Sequence, residues 1–417
     1  MKRLINSVLM IALVSLLLSS CGGKDTISPT PNPDGGQHEV LWSYDLGFGG
    51  LVDVLPAVDE NDNIYFSMVK EDGATVVTVA LDKDGAKKWD NTVEGSSTDK
   101  VTYADGKVFV VTDSPTAIHC LDASSGNTIW TKDLTADYDF EWMPRLAYNN
   151  NKLYVSSGQF FYGYLMAIDA DGNELWVKQG PTMGASFNLS VIGNQLFFMD
   201  DQYLFRYDDN GSSCDSVWAF QLPNLKTGNR DRSMITLLDL PIGADGNIYF
   251  REDNITIVSP EGQLVNSINL DASYNEGYAS NILLTSDNDI IVGKGNLVKM
   301  SNNGDVIWES NINDGLIINP SFATAPIISA NDNFYDAQLF GLYCVKSSGE
   351  LDWKVNAETG GGTEYGNLHT PVLTHDGNII SVSAEQKMVR CFKGDGKGLA
   401  TSGWPKPYGD YGNTSSR

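Results

Sequence analysis

The 417 residues predict an all-β chain made of repeated four-stranded antiparallel modules. Three observations predict it. Tryptophan recurs at 42, 89, 130, 176, 218, 308 and 353, a spacing near 45 with one double interval of 90. Between these positions lie short runs such as NIYF, KVFV, KLYV and QLFF, whose aromatic and β-branched residues belong on strands. Asp/Asn/Gly clusters separate the runs and supply the positive-φ positions that tight hairpins need. A repeat of roughly 40–50 residues with this composition marks a β-propeller, in which each repeat is one radial blade.

From the N-terminus, residues 1–20 read as a lipoprotein signal peptide. Lys2 and Arg3 precede an apolar stretch over 5–18 that is short for a membrane span. Leu18-Ser19-Ser20-Cys21 forms a lipobox, with Cys21 as the lipidation site. Residues 21–39, rich in Gly, Pro, Ser and Thr, read as a flexible linker. Gly22 stands where an inner-membrane retention signal would place Asp, so an outer-membrane lipoprotein is expected, facing either the periplasm or the surface. Residues 40–417 read as one propeller domain.

Eight first strands can be placed, near Pro56, Val101, Arg145, Leu189, Pro241, Ile282, Pro326 and Pro371. Only seven fourth strands follow them, the last carrying Trp353. The eighth is supplied by the segment at 40–45, which carries Trp42 with no three strands before it. The expected fold is therefore an eight-bladed β-propeller of four-stranded antiparallel blades, closed by the N-terminal strand. In the double interval the segment 265–270 fills the slot of a lost tryptophan near Ile268. Trp404 falls beyond the last repeat, in a C-terminal extension, SGWPKPYGDYGNTSSR.

The segments ALDKDGAKKW, CLDASSGNTIW and AIDADGNELW resemble the tryptophan-docking repeat of the PQQ-type eight-bladed propellers. That family spans quinoprotein dehydrogenases and an assembly lipoprotein of the outer membrane. The resemblance implies that Trp42, Trp89, Trp130, Trp176, Trp218, Trp308 and Trp353 dock between neighbouring blades. For the quinoprotein enzymes it implies a quinone held by an adjacent Cys pair and a stacking Trp, with calcium bound by carboxylates. No adjacent Cys pair exists here. Cys120, Cys344 and Cys391 instead occupy the repeat position held by Ala80 and Ala167, a slot for a small apolar residue.

Charge and motifs narrow the function. Lys plus Arg total 28 against 53 Asp plus Glu, a net charge of −25 that would repel nucleic acid. GxSxG, HExxH and Gly-rich phosphate loops are absent from the sequence. The run at 169–174 (DADGNE) opens like a calcium loop but lacks its later Gly and Glu, and reads as a hairpin turn. His119 falls on a strand, His38 in the linker, and His369 and His375 flank a first strand, where a lone His is more often solvated than catalytic. No catalytic residue, metal or cofactor is expected.

The tight turns of every blade project from one face, the turn face, and make it acidic. Longer, irregular segments leave the opposite, loop face. They carry Tyr138, Trp142, Arg145, Tyr162, Arg230, Arg232, Tyr274, Tyr278 and Tyr365. Aromatic and Arg residues on adaptable loops compose recognition surfaces. The expected function is an envelope-anchored, non-catalytic binding scaffold for a protein or peptide, or for a glycan stacked on Trp142. The alternatives are a PQQ-family oxidoreductase or other propeller enzyme, and a subunit for outer-membrane protein assembly.

Overall fold

The computed structural model describes residues 39–47, 55–98, 100–135, 138, 143–158, 163–179, 188–200, 202–222, 240–251, 254–270, 282–294, 296–310, 325–338, 341–356, 370–383 and 387–417. These residues form eight antiparallel sheets and no helix. The expected signal peptide, Cys21 and the expected linker up to residue 38 lie outside them.

Each sheet is one blade, with strands paired in chain order. Blade 1 is Ala57–Val58, Ile64–Val69, Thr75–Leu81 and Lys87–Glu94. Its second strand is buried throughout because neighbouring blades cover both faces, whereas its fourth strand is largely exposed and turns Trp89 inward. The first strands of blades 1, 6, 7 and 8 are only two residues long. In blades 1, 7 and 8 each follows a Pro, which has no N–H to give a ladder.

Two blades depart from the pattern. In blade 2 the first strand is broken into Ser97–Thr98 and Thr102–Ala104, both pairing with Lys107–Asp113. In blade 5 three strands form the sheet, and a single bridge from Ile242 to Ile248 stands for the first strand.

The ring closes as the strand count predicts. Val40–Asp45 is the outer strand of blade 8, antiparallel to Met388–Phe392, with Trp42 opposite Cys391 and Asp45 opposite Met388. Every fourth strand slips register by a bulge just before the tryptophan position, as between Ala80 and Leu81 in blade 1. A bulge re-aims the next side chain, here across to the adjacent blade. The core consequently runs between blades: Tyr65, Ala80 and Trp89 of blade 1 cluster with Val108, Leu121 and Ala123 of blade 2.

The C-terminal segment is more than an extension of the ring. After Met388–Phe392 it turns back into the central channel, and Trp404 is 1% exposed there, among the largest fully buried side chains described.

Candidate functional site

The inter-blade joints are built from one device. The indole N–H of Trp89 donates to the Ala123 carbonyl at 2.9 Å, in the last turn of the next blade. Trp42, Trp130, Trp218 and Trp308 donate likewise to the carbonyls of Lys83, Ala170, Pro260 and Ser347. The ring of each lies flat on the Gly of that turn. At Gly126, with φ of 73°, a Cβ would come within 2.6 Å of Trp89. Trp42 does the same on Gly85 of blade 1, so the first described strand docks across the seam between blades 8 and 1. Trp353 lies against Tyr335 and packs on the cluster holding Ile379 and Phe392 of blade 8.

Trp176 finds a different acceptor. The turn it meets is longer, and the indole donates to the Asp209 carboxylate at 2.9 Å. The same carboxylate accepts from Lys152 at 2.5 Å, Tyr154 at 2.8 Å and the Gly211 N–H at 2.8 Å. Burial alone would raise the Asp209 carboxyl, but these donors outweigh it and hold it below the usual range.

In blade 5 the lost indole is divided between two residues. Asn266 stands opposite Ile257, the strand position that tryptophan takes elsewhere, and its amide donates to the Asn302 carbonyl at 2.9 Å. Ile268, two residues on, supplies the hydrocarbon and sits over Gly304, where a Cβ would be 2.7 Å from its methyl. The slot near Ile268 is thus filled, with the polar half of the job moved to Asn266.

At the centre of the turn face, residues 398–417 form a hub. In blade 7 the Ile328 N–H donates to Pro405 and the Ala330 N–H to Gly398, and in blade 6 Leu284 and Trp404 exchange both backbone bonds. The N–H groups of Val58, Tyr103, Tyr148 and Val191, from blades 1 to 4, then donate to the carbonyls of Tyr411, Gly412, Thr414 and Ser415. Arg417 reaches the Ile242 carbonyl of blade 5, and Tyr411 stacks on His375 of blade 8 at 3.9 Å between ring centres.

The hub buries charge with partners, as burial requires. The Lys100 ammonium donates to the Asn413 carbonyl and the Ser415 hydroxyl, both at 2.7 Å, and lies 3.6 Å from the centre of the Tyr408 ring. The Lys406 ammonium donates to the carbonyls of Pro407 and Asp410 and to the Asn413 side chain. The Asn413 amide donates to the carbonyls of Leu55, Pro56 and Val101. Asp410 accepts from the Thr414 N–H and hydroxyl, while desolvation pushes its carboxyl upward.

Beside the hub a depression of about 410 Å³ opens on the turn face, lined in part by Glu60, Tyr103, Asp105, Tyr148 and His375. The Tyr103 hydroxyl donates to Glu60 at 2.6 Å and the Tyr148 hydroxyl to Asp105 at 2.7 Å. Burial, then the bonded carboxylate, pushes both phenols up, so they remain protonated donors. His375 is not merely solvated: its Nδ1 lies 2.8 Å from Asp62.

The family model described as "Outer membrane protein assembly factor BamB" matches residues 72–213, which contain most of blades 1 to 4. Residues 72–213 carry PQQ-like repeats, and the structure sets them in an eight-bladed propeller. Among solved structures, Sqt1 of Saccharomyces cerevisiae is similar at a TM-score of 0.60 and 10% identity, over 86% of this chain and 99% of that one. Apo AztD of Citrobacter koseri is similar at 0.50 and 12%, over 79% and 89%. BamB of Moraxella catarrhalis has 14% identity over 85% and 99%, at a TM-score of 0.39. The likeness to Sqt1 and AztD speaks to the fold alone. No curated protein sequence matches the chain.

Of the loop-face residues expected in this propeller, Tyr138 and Arg145 are described. Tyr138 turns onto blade 3, where its hydroxyl donates to Glu174 at 2.6 Å and its ring meets Tyr164 edge-on. Arg145 is the first residue of Arg145–Asn149, opposite Ser156. Trp142, Tyr162, Arg230, Arg232, Tyr274, Tyr278 and Tyr365 lie outside the described residues, as do His38 and His369.

The donor set does not fit a quinone site of the kind the resemblance implies. Cys120, Cys214, Cys344 and Cys391 are free, buried and spread over blades 2, 4, 7 and 8, and burial pushes each thiol up to about 12. Three of them stand directly opposite Trp130, Trp353 and Trp42. His119 is buried between the hydroxyls of Thr112 and Thr131, and burial lowers its basicity. Asp169 accepts the N–H groups of Asp171 and Asn173, as a turn carboxylate does. Among the described residues no three His, Cys, Asp or Glu side chains are grouped to hold a metal ion.

The hub is what reading the sequence missed. Its signal was there: after the last repeat the chain carries Trp404, Lys406, Tyr408, Asp410 and Tyr411 within eight residues, too aromatic and too charged for an idle tail.

Proposed function

We propose that this propeller is an envelope-anchored lipoprotein that binds a protein partner through its loop face and performs no chemistry of its own. The observation that carries this reading is the filling of the channel at the turn face by residues 398–417. That leaves the longer segments of the opposite face as the adaptable surface. The assembly-factor description of the matching family model supports a scaffold role over a catalytic one. A ring of blades joined at every seam holds the described strands in fixed relation, which lowers the ordering cost of binding to a surface they carry.

The test is capture from solubilised envelopes with the full-length lipoprotein as bait. Trp142→Ala and the pair Arg230→Ala/Arg232→Ala should lose a partner that wild type retains, at an unchanged melting temperature. Capture equal to wild type would place recognition elsewhere. Turnover in a dye-reduction assay after addition of PQQ and calcium would replace the binding reading with an oxidoreductase.

A further inference from the structure

We propose that residues 398–417 are the ring's internal closing element, whose seating makes the innermost strands of blades 1 to 4 one cooperative unit. This is independent of any partner at the loop face. In a propeller the innermost strand of each blade has no neighbour on the channel side, so its outward N–H groups need an acceptor. Here the acceptors come from one segment: Tyr411, Gly412, Thr414 and Ser415 serve Val58, Tyr103, Tyr148 and Val191, four blades in succession.

The spacing is tight. At Gly412 a Cβ would fall 2.2 Å from the Tyr103 carbonyl, so only glycine lets the segment approach blade 2 this closely. Asn413 is fully buried and ties the segment to blades 1 and 2 through the carbonyls of Leu55, Pro56 and Val101. Lys100, from blade 2, reaches in to hold the backbone of Asn413 and the hydroxyl of Ser415. A shift of the segment at Asn413 must therefore be passed on to the bonds at Thr414 and Ser415, which belong to blades 3 and 4.

The contacts of Asn413 and Lys100 join residues more than 300 positions apart, such as Leu55 with Asn413. Such a hub can seat only when all the blades are in place, so closure on the axis is a late event in folding.

Hydrogen exchange on the full-length chain, read by mass spectrometry, tests the coupling. In Asn413→Ala the amides at 57–58, 102–104, 145–149 and 188–192 should exchange together, about tenfold faster than in wild type. The outer strands of blades 6 and 7, Val306–Glu309 and Leu351–Asn356, should keep their protection. Faster exchange confined to blades 1 and 2, which Asn413 touches directly, would overturn the proposal, as would no change. If Asn413→Ala does not fold, Ser415→Ala removes one acceptor of Lys100 and should give the same four-blade pattern severalfold more weakly. Uniform acceleration over all eight blades would mean ordinary loss of stability and would equally overturn it.

Discussion

Gly106 and Gly126 separate two meanings of glycine in this fold. Both have φ of 73°, a value that costs any L side chain strain. Only Gly126 lies under an indole, since nothing stands within 4 Å of a Cβ at Gly106. Alanine at either position should cost the shared backbone strain, and Gly126→Ala should cost a further 1–3 kcal/mol, roughly, for overpacking Trp89. Urea unfolding of the two variants measures the difference; equal midpoints would mean that Trp89 yields freely. At this scale the tryptophans and turn glycines are legible in the sequence because each joint repeats the same chemistry. The joint of blade 5 is legible only in part. Ile268 could be found by its place in the period, but the transfer of the N–H to Asn266 depends on where the Asn302 carbonyl lies.

Between blades 3 and 4 the joint rests on a charge. Asp209 gathers Lys152, Tyr154, Trp176 and the Gly211 N–H, and its carboxyl is held below the value of an unfolded chain, about 3.9. A depressed carboxylate stabilises the fold above the unfolded pKa, and that contribution is lost as pH falls through the folded one. The stability advantage of wild type over Asp209→Asn should hold steady above about pH 5 and shrink steadily below about pH 4. Urea midpoints of both proteins across that range check it, and a pH-independent difference would remove Asp209 from the joint. The other joints that donate to backbone carbonyls should not follow this pattern. Strands and turns were legible here from the period-two runs and the Asp/Asn/Gly triplets. The acceptor switch was not, because DDNGSSCD reads as a longer turn without saying that its second carboxylate, Asp209, is buried.

On the scale of the whole molecule, the blade count and the closing strand at Val40–Asp45 follow from a mismatch between first and fourth strands. The hub does not, since residues 398–417 share no period with the blades and their partners lie at the far end of the chain. The loop face was read from the sequence as a composition of aromatic and Arg residues, most of which lie outside the described residues. Its one described aromatic, Tyr138, is engaged with Glu174 of the fourth strand of blade 3. The central claim is that the ring is closed, with the N-terminal strand as a full member of it. Trp42 and Trp130 are both partly buried and make the same bond to the next blade, one across the seam and one within the run of blades. In a closed ring, Trp42→Ala and Trp130→Ala should lower the unfolding free energy alike, on the order of 3 kcal/mol each. A neutral Trp42→Ala beside a costly Trp130→Ala would mean that the seam is open and would contradict the account.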